Sequence, residues 1–194
     1  MRTKKFMRAT FIVALVLIST GSFAQNGRFS VGAELGLPMG DFGDISSMGI
    51  GGTLRYELPM GDNLGLTATA GYMAFSGKEV GGFDMPDWTM IPVQIGAKYY
   101  FTEQQEGFYG MVELGVHAIS YDFEYQVPHI DPTTFAITYT TETESVSDTK
   151  LSYAPAIGYH LANVDIGLRY QMIATEGSAT SYLGIRLAYV FGEK

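Results

Sequence analysis

The stretch Ser181–Phe191 (SYLGIRLAYVF) sorts into two unlike faces. Leu183, Ile185, Leu187, Tyr189 and Phe191 occupy one; Tyr182, Gly184, Arg186, Ala188 and Val190 occupy the other. Alternation of period two is the mark of a β-strand lying between two different surroundings. The same pattern recurs along the chain and predicts eight strands, at about 28–37, 47–58, 64–75, 89–101, 108–124, 150–160, 164–174 and 181–191. A change of phase around Tyr121, Phe123 and Tyr125 predicts a β-bulge near Ala118–Ser120. Breaks between strands alternate long and short, so the longer ones fall at one end of an up-and-down meander. The longest, Tyr125–Thr149, contains Thr134–Thr143 as a candidate extension of a hairpin. An even number of antiparallel strands can close on itself and abolish its edges.

The polar face decides which side of such a barrel meets water. Its members are mostly Gly, Ala, Ser and Thr, and only 16% of the whole chain is charged, too little for a wetted surface. Small residues instead suit the crowded interior of eight strands. The charges on this face balance: Glu34, Glu57, Glu113 and Asp165 against Arg55, Lys98, Arg169 and Arg186. Charges removed from water need partners, so these eight, with His117 and His160 on the same face, form the candidate lumen network, structural in role. In a closed barrel Arg186 neighbours the first strand, where Glu34 is its candidate partner. The apolar face carries many Tyr and Phe near strand ends, as in an interfacial aromatic girdle, and Trp88 is placed in that girdle. The expected fold is all-β: an eight-stranded antiparallel up-and-down transmembrane β-barrel over residues 25–194. A secreted lipocalin-like barrel would need the opposite facing.

Residues 1–24 read as a cleaved signal peptide. MRTKKFMR is basic, Ala9–Ile18 is a short apolar run, and Ser22-Phe23-Ala24 offers small residues at −3 and −1. Cleavage there takes away Arg2, Lys4, Lys5 and Arg8 and no acid, moving the formal charge from −8 to −12. Such an acidic chain excludes nucleic acid as an expected partner. With no Cys, the exported protein has no disulfides to lean on.

The segments Arg28–Asp44 (RFSVGAELGLPMGDFGD), Gly49–Leu58 and Tyr182–Phe191 resemble the small outer-membrane β-barrel domain proteins of Gram-negative bacteria, the OmpA/OmpX-like superfamily, in the type common in Bacteroidota. The resemblance spans the mature chain through Gly, aromatic and turn patterns and carries no catalytic signature. It implies location in the outer membrane, termini in the periplasm and long loops outside. It also implies insertion by the barrel-assembly machinery, and outer-membrane lipid and lipopolysaccharide as surroundings. One departure is that Gly192-Glu193-Lys194 follow Phe191, where such barrels often end on an aromatic residue.

Candidate chemistry is sparse. His117 and His160 lie on the lumen face beside Glu113 and Asp165, where a polar network is the expected role, with no metal and no cofactor. His129 stands near Asp131 in the long break. Acids at Asp41, Asp44, Glu79, Asp84, Asp87, Asp131, Glu142, Glu144 and Asp148 lack the spacing of a calcium loop and read as solvated loop residues. A lipid-modifying barrel would need His and Ser together at the outer face, and Ser120, Ser152 and Ser181 form no such pair. The sequence therefore points to a non-enzymatic, monomeric barrel with a polar plugged lumen, whose loops meet an extracellular ligand in envelope structure, adhesion or surface interaction. A lipid-modifying enzyme is the alternative.

Overall fold

The computed structural model describes residues 27–103, 105–130, 137–175 and 179–192, with the backbone alone given for 123–130, 137–143 and 179. The expected signal peptide, Asp131 and the start of the Thr134–Thr143 segment lie outside the described residues. In chain order the elements are β1 (Arg28–Met39), α1 (Asp41–Ile45), β2 (Ser46–Met60), β3 (Leu64–Gly77), β4 (Glu79–Val80), β5 (Phe83–Asp84), β6 (Trp88–Tyr100), β7 (Gly107–Ile130), β8 (Ile137–Leu161), β9 (Val164–Ala174) and β10 (Ala179–Phe191). Eight of the strands close an antiparallel barrel in the order β1-β10-β9-β8-β7-β6-β3-β2, and β4-β5 form a separate two-stranded hairpin. The seam between first and last strands is fully laddered, from Phe29 opposite Phe191 to Met39 opposite Ser181.

Burial follows the two-residue period, inside out. Leu35, Leu54, Leu66, Ile95, Leu114, Ile157, Ile166 and Leu187 are exposed on the outer wall, while Glu34, Arg55, Thr67, Gln94, Glu113, Asp165 and Arg186 are buried within it. A wall of this kind is unstable in water, because each exposed apolar side chain forfeits its transfer free energy; in hydrocarbon the same wall is solvated. Paired rings stand on the outside at the end where the short turns, the start of β1 and the end of β10 lie: Tyr99–Phe101, Phe108–Tyr159 and Tyr189–Phe191, with centroids 5.9, 4.8 and 4.7 Å apart. They form the girdle expected of residues that prefer an interface.

Three expectations are corrected. β7 pairs with β8 from Gly107–His160 to Ile130–Ile137 without a register shift, so there is no bulge near Ala118–Ser120. Ile119 stays inside and Tyr121 packs against the internal cluster. The alternation of polarity reverses because the lumen itself turns apolar there. Second, β8 begins at Ile137 and not near Lys150, and β7 runs on to Ile130. β6 accompanies β7 only as far as Tyr121, and β9 joins β8 only from Ser152, so the hairpin rises beyond the barrel as a two-stranded ribbon. Third, the sequence pattern puts Pro92 and Pro155 near strand starts, where a missing N–H disrupts least, whereas both sit within strands. Pro92 lies where β3–β6 pairing skips from Ala70–Val93 to Met73–Met90, and Pro155 where β8–β9 pairing skips from Tyr153–Met172 to Ala156–Arg169. Each lacks the N–H its ladder would use. Beside Pro155, Gln171 Nε2 donates to the Tyr153 carbonyl at 3.3 Å and fills part of the gap.

Candidate functional site

The lumen is built in layers, charged toward the turn end and aromatic at the opposite mouth. Nearest the turns, Glu57 accepts from Arg28 at 2.7 Å, Tyr100 at 2.8 Å and Lys98 at 3.2 Å. Lys98 Nζ also reaches Asp165 Oδ2 at 2.6 Å, while Tyr109 donates its hydroxyl to Asp165 Oδ1 at 2.9 Å. Lys98 stands 3.9 Å from the centre of the Tyr109 ring, adding an aromatic face to its ion pairs. Below this layer the turn itself seals the barrel. Gln105, buried with a φ of +50°, donates to the carbonyls of Gly61 at 2.8 Å and Leu64 at 3.2 Å. Its side-chain oxygen accepts from Arg28 at 2.6 Å.

One layer higher, Arg55 donates to Thr69 at 3.0 Å and to Glu113 at 3.2 Å, and Thr69 donates to Glu113 at 2.7 Å. Arg169 lies 2.7 Å from Glu34 and 3.7 Å from Glu113, and donates to the Tyr182 hydroxyl at 3.0 Å and to Gln94 at 3.3 Å. Glu34 and Arg186 stand opposite each other in the β1–β10 ladder, yet their ion pairs are with other residues. Arg186 turns along the lumen to Asp165 at 3.4 Å, Thr53 at 2.7 Å and Ser30 at 2.9 Å; Glu34 leans to Arg169. The expected direct pairing is thus replaced by two diagonal ones, in which each charged group meets its partner from another strand.

Room for this comes from glycine. A Cβ on Gly184 would stand 2.6 Å from Glu34 Oε1 and 3.0 Å from Arg169 Cγ, so any larger residue there must push these two side chains aside. Gly184→Val is expected to destabilise the barrel by about 1–3 kcal/mol through overpacking, with a lower urea midpoint in refolding titrations; an unchanged midpoint would show that the network has slack.

At the mouth the filling changes character. Gly40, with φ +58°, turns the chain into α1, and Phe42 of that helix drops into the barrel. It meets Phe75 edge-on at 5.2 Å and Trp88 at 5.6 Å, and Phe75 in turn meets Tyr182 at 5.3 Å. Met73, Met90, Ile119 and Ile173 complete this buried cluster, with Trp88 and Tyr121 packed on it. Trp88, expected in the outer girdle, therefore belongs to the inside. The lumen is polar for part of its length and apolar above.

No protein-family model matches the chain, and no curated protein does. Solved structures do resemble it. The crystal structure of Ail, the attachment invasion locus protein of Yersinia pestis, aligns with a TM-score of 0.58 at 15% identity, over 85% of this chain and 97% of that one. Ail in complex with the heparin analogue sucrose octasulfate gives 0.57 at the same identity and coverage. Its backbone structure in a phospholipid bilayer nanodisc gives 0.53 at 16% identity, over 86% and 100% of the two chains. The fold is that of the small outer-membrane β-barrels.

Within this outer-membrane barrel fold, all ten residues assigned to the lumen from the sequence are buried in the described structure. Arg28 and Gln105 were not foreseen. Arg28 stands one residue before the alternating pattern becomes regular, and Gln105 sits in a turn, where the period carries no information. The two histidines do not share a site. His160 places Nδ1 3.1 Å from the Gln105 carbonyl oxygen at the turn end, whereas both ring nitrogens of His117 are buried without a hydrogen-bond partner among the described residues. Among the described residues no cluster of three or more His, Asp or Glu side chains is arranged to hold a metal ion.

Proposed function

We propose that the chain is an integral protein of the outer membrane, exported by the signal peptide 1–24, non-enzymatic, with its lumen network acting as a structural plug and its mouth facing outward for surface contact. The observation that carries this reading is the inverted wall: a closed barrel with an apolar exterior and a buried, nearly balanced set of charges. Such a barrel has hydrocarbon as its natural solvent. The filled lumen argues against an open aqueous pore, since side chains occupy it from Gln105 at one end to Phe42 at the other. His117, His160 and Ser152 are buried on the inner side; Ser181 shares the outer face of β10 with Leu183 and bonds the Tyr170 hydroxyl at 3.1 Å, and neither of these histidines faces outward to pair with it.

The likeness to Ail, named for attachment and invasion, supports a surface-contact role for the mouth and the β7–β8 ribbon. The polysulfate ligand of that neighbour does not carry over. Among the residues with described side chains, the mouth end bears Asp41, Asp44, Glu79, Asp84, Asp87, Asp122, Glu144 and Asp148 against Lys78 and Lys150, a field that repels polyanions.

The test is location and orientation together. A short epitope inserted between Ile130 and Ile137, the last described pair of the ribbon, should be labelled by antibody on intact cells, and the protein should fractionate with the outer membrane. Recovery in the soluble periplasm would overturn the membrane reading. Outer-membrane recovery with labelling only after permeabilisation would reverse the orientation.

A further inference from the structure

The aromatic filling of the mouth does not close it flush. An open cavity of about 250 Å³ remains between α1 and the inner walls of β6, β7 and β8, with Phe42, Trp88 and Tyr121 among its walls and Asp41, Asp148 and Lys150 among its polar lining. The Trp88 and Tyr121 rings are 4.6 Å apart and tilted by 41°, and Phe42 stands edge-on to Trp88 at 79°. Three rings thus line one small space in different orientations.

Three features fix the chemistry of what would enter. The volume is below that of a drug-sized site, so the occupant is a fragment with a single short apolar body. Three of the lining residues are aromatic, and aromatic rings attract cations, Trp most of all. The charges favour the same sign: Lys150 is already paired with Asp148 at 2.7 Å, leaving Asp41 in excess, and the surrounding mouth is acidic. An anion would enter against that field; a neutral molecule would gain nothing from it.

We propose that this mouth cavity is a binding site for small organic cations, an ammonium group on a short apolar or aromatic body, held in the cavity against the three rings with its charge toward Asp41 and Asp148. The site goes beyond the surface-protein reading and is measured on the purified barrel, so its failure is separable from a failure of location or orientation.

Trp88 is the only tryptophan in the chain, so its fluorescence reports on this cavity alone. The folded protein in an uncharged maltoside detergent, without amine-oxide or choline headgroups that would compete, is titrated with phenethylammonium, 3-phenylpropan-1-ol and 3-phenylpropionate. Phenethylammonium is expected to give a saturable change with half-saturation at or below about 1 mM, weakened by raising NaCl as a charge-driven contact should be. The alcohol and the carboxylate should bind about tenfold more weakly or not at all. Tyr121→Leu should weaken the cation about fivefold, as should the pair Asp41→Asn with Asp148→Asn, whereas Lys150→Ala should tighten it. Heat-modifiable migration of each variant confirms that the barrel is closed. Absence of saturation in the folded protein, or equal binding of the three compounds, or indifference to the Asp41 and Asp148 changes, would overturn the proposal.

Discussion

Arg169→Leu is expected to destabilise the barrel by about 3–5 kcal/mol, the range for removing one partner of a buried ion pair. Arg169 is the lumen's central junction: it stands 2.7 Å from Glu34 and 3.7 Å from Glu113, and donates to Tyr182 and Gln94. Leucine would leave Glu34 without its ion pair, while Glu113 keeps Arg55 at 3.2 Å. Most of the loss should therefore come from the stranded Glu34 carboxylate. Glu34→Gln placed in the Arg169→Leu background is then expected to recover a substantial part of it, and Glu34→Gln alone to cost less than Arg169→Leu. Urea titration of refolding into phospholipid vesicles measures all three. If Arg169→Leu changed stability by less than about 1 kcal/mol, as for an exposed pair, the lumen would be wet enough to screen its own charges.

Ile95→Arg is expected to destabilise the folded protein by about 2–4 kcal/mol in a bilayer, as for a cation forced onto the lipid face near the midplane. Ile95 is 71% exposed and lies four residues from the girdle ring Tyr99. The informative comparison is Phe83→Arg on the β4–β5 hairpin, since Phe83 is 73% exposed. Equal exposure predicts equal effects if both sites face water; if Ile95 faces hydrocarbon and Phe83 does not, Phe83→Arg should stay within about 0.5 kcal/mol. Matching small effects at both positions would make the barrel a water-soluble one.

The barrel and its facing were legible in the sequence because the period of two reports which side of a strand is which, whatever the solvent. The reading was weakest where inside and outside share a polarity. At the mouth Ile119, Tyr121 and Trp88 are as apolar as the lipid face, so the internal cluster looked like a shift of phase and a girdle residue. Beyond Tyr121 and before Ser152 the two strands of the ribbon pair only with each other and enclose no lumen; a segment such as ThrGluThrGluSerValSerAsp over 141–148 has no apolar side to mark it as strand. The charge set was found because eight balancing charges on one face are conspicuous, but the partners were not. Cross-strand neighbours follow from register, as Glu34 and Arg186 do, whereas long side chains in a narrow lumen reach diagonally and choose partners by length and donor geometry.

Arg186 has a consequence for how the molecule comes to exist. Its guanidinium joins Asp165 on β9 to Ser30 on β1 and Thr53 on β2, and so spans the seam between the last strand made and the first. None of the contacts with β1 and β2 exists while the sheet is open. Closure sets these bonds together with the eleven paired positions of the seam. The final strand thus acts as a latch: a sheet that inserts without shutting leaves a cation facing the gap, and the penalty for that favours either a barrel fully sealed or a chain not yet in the membrane.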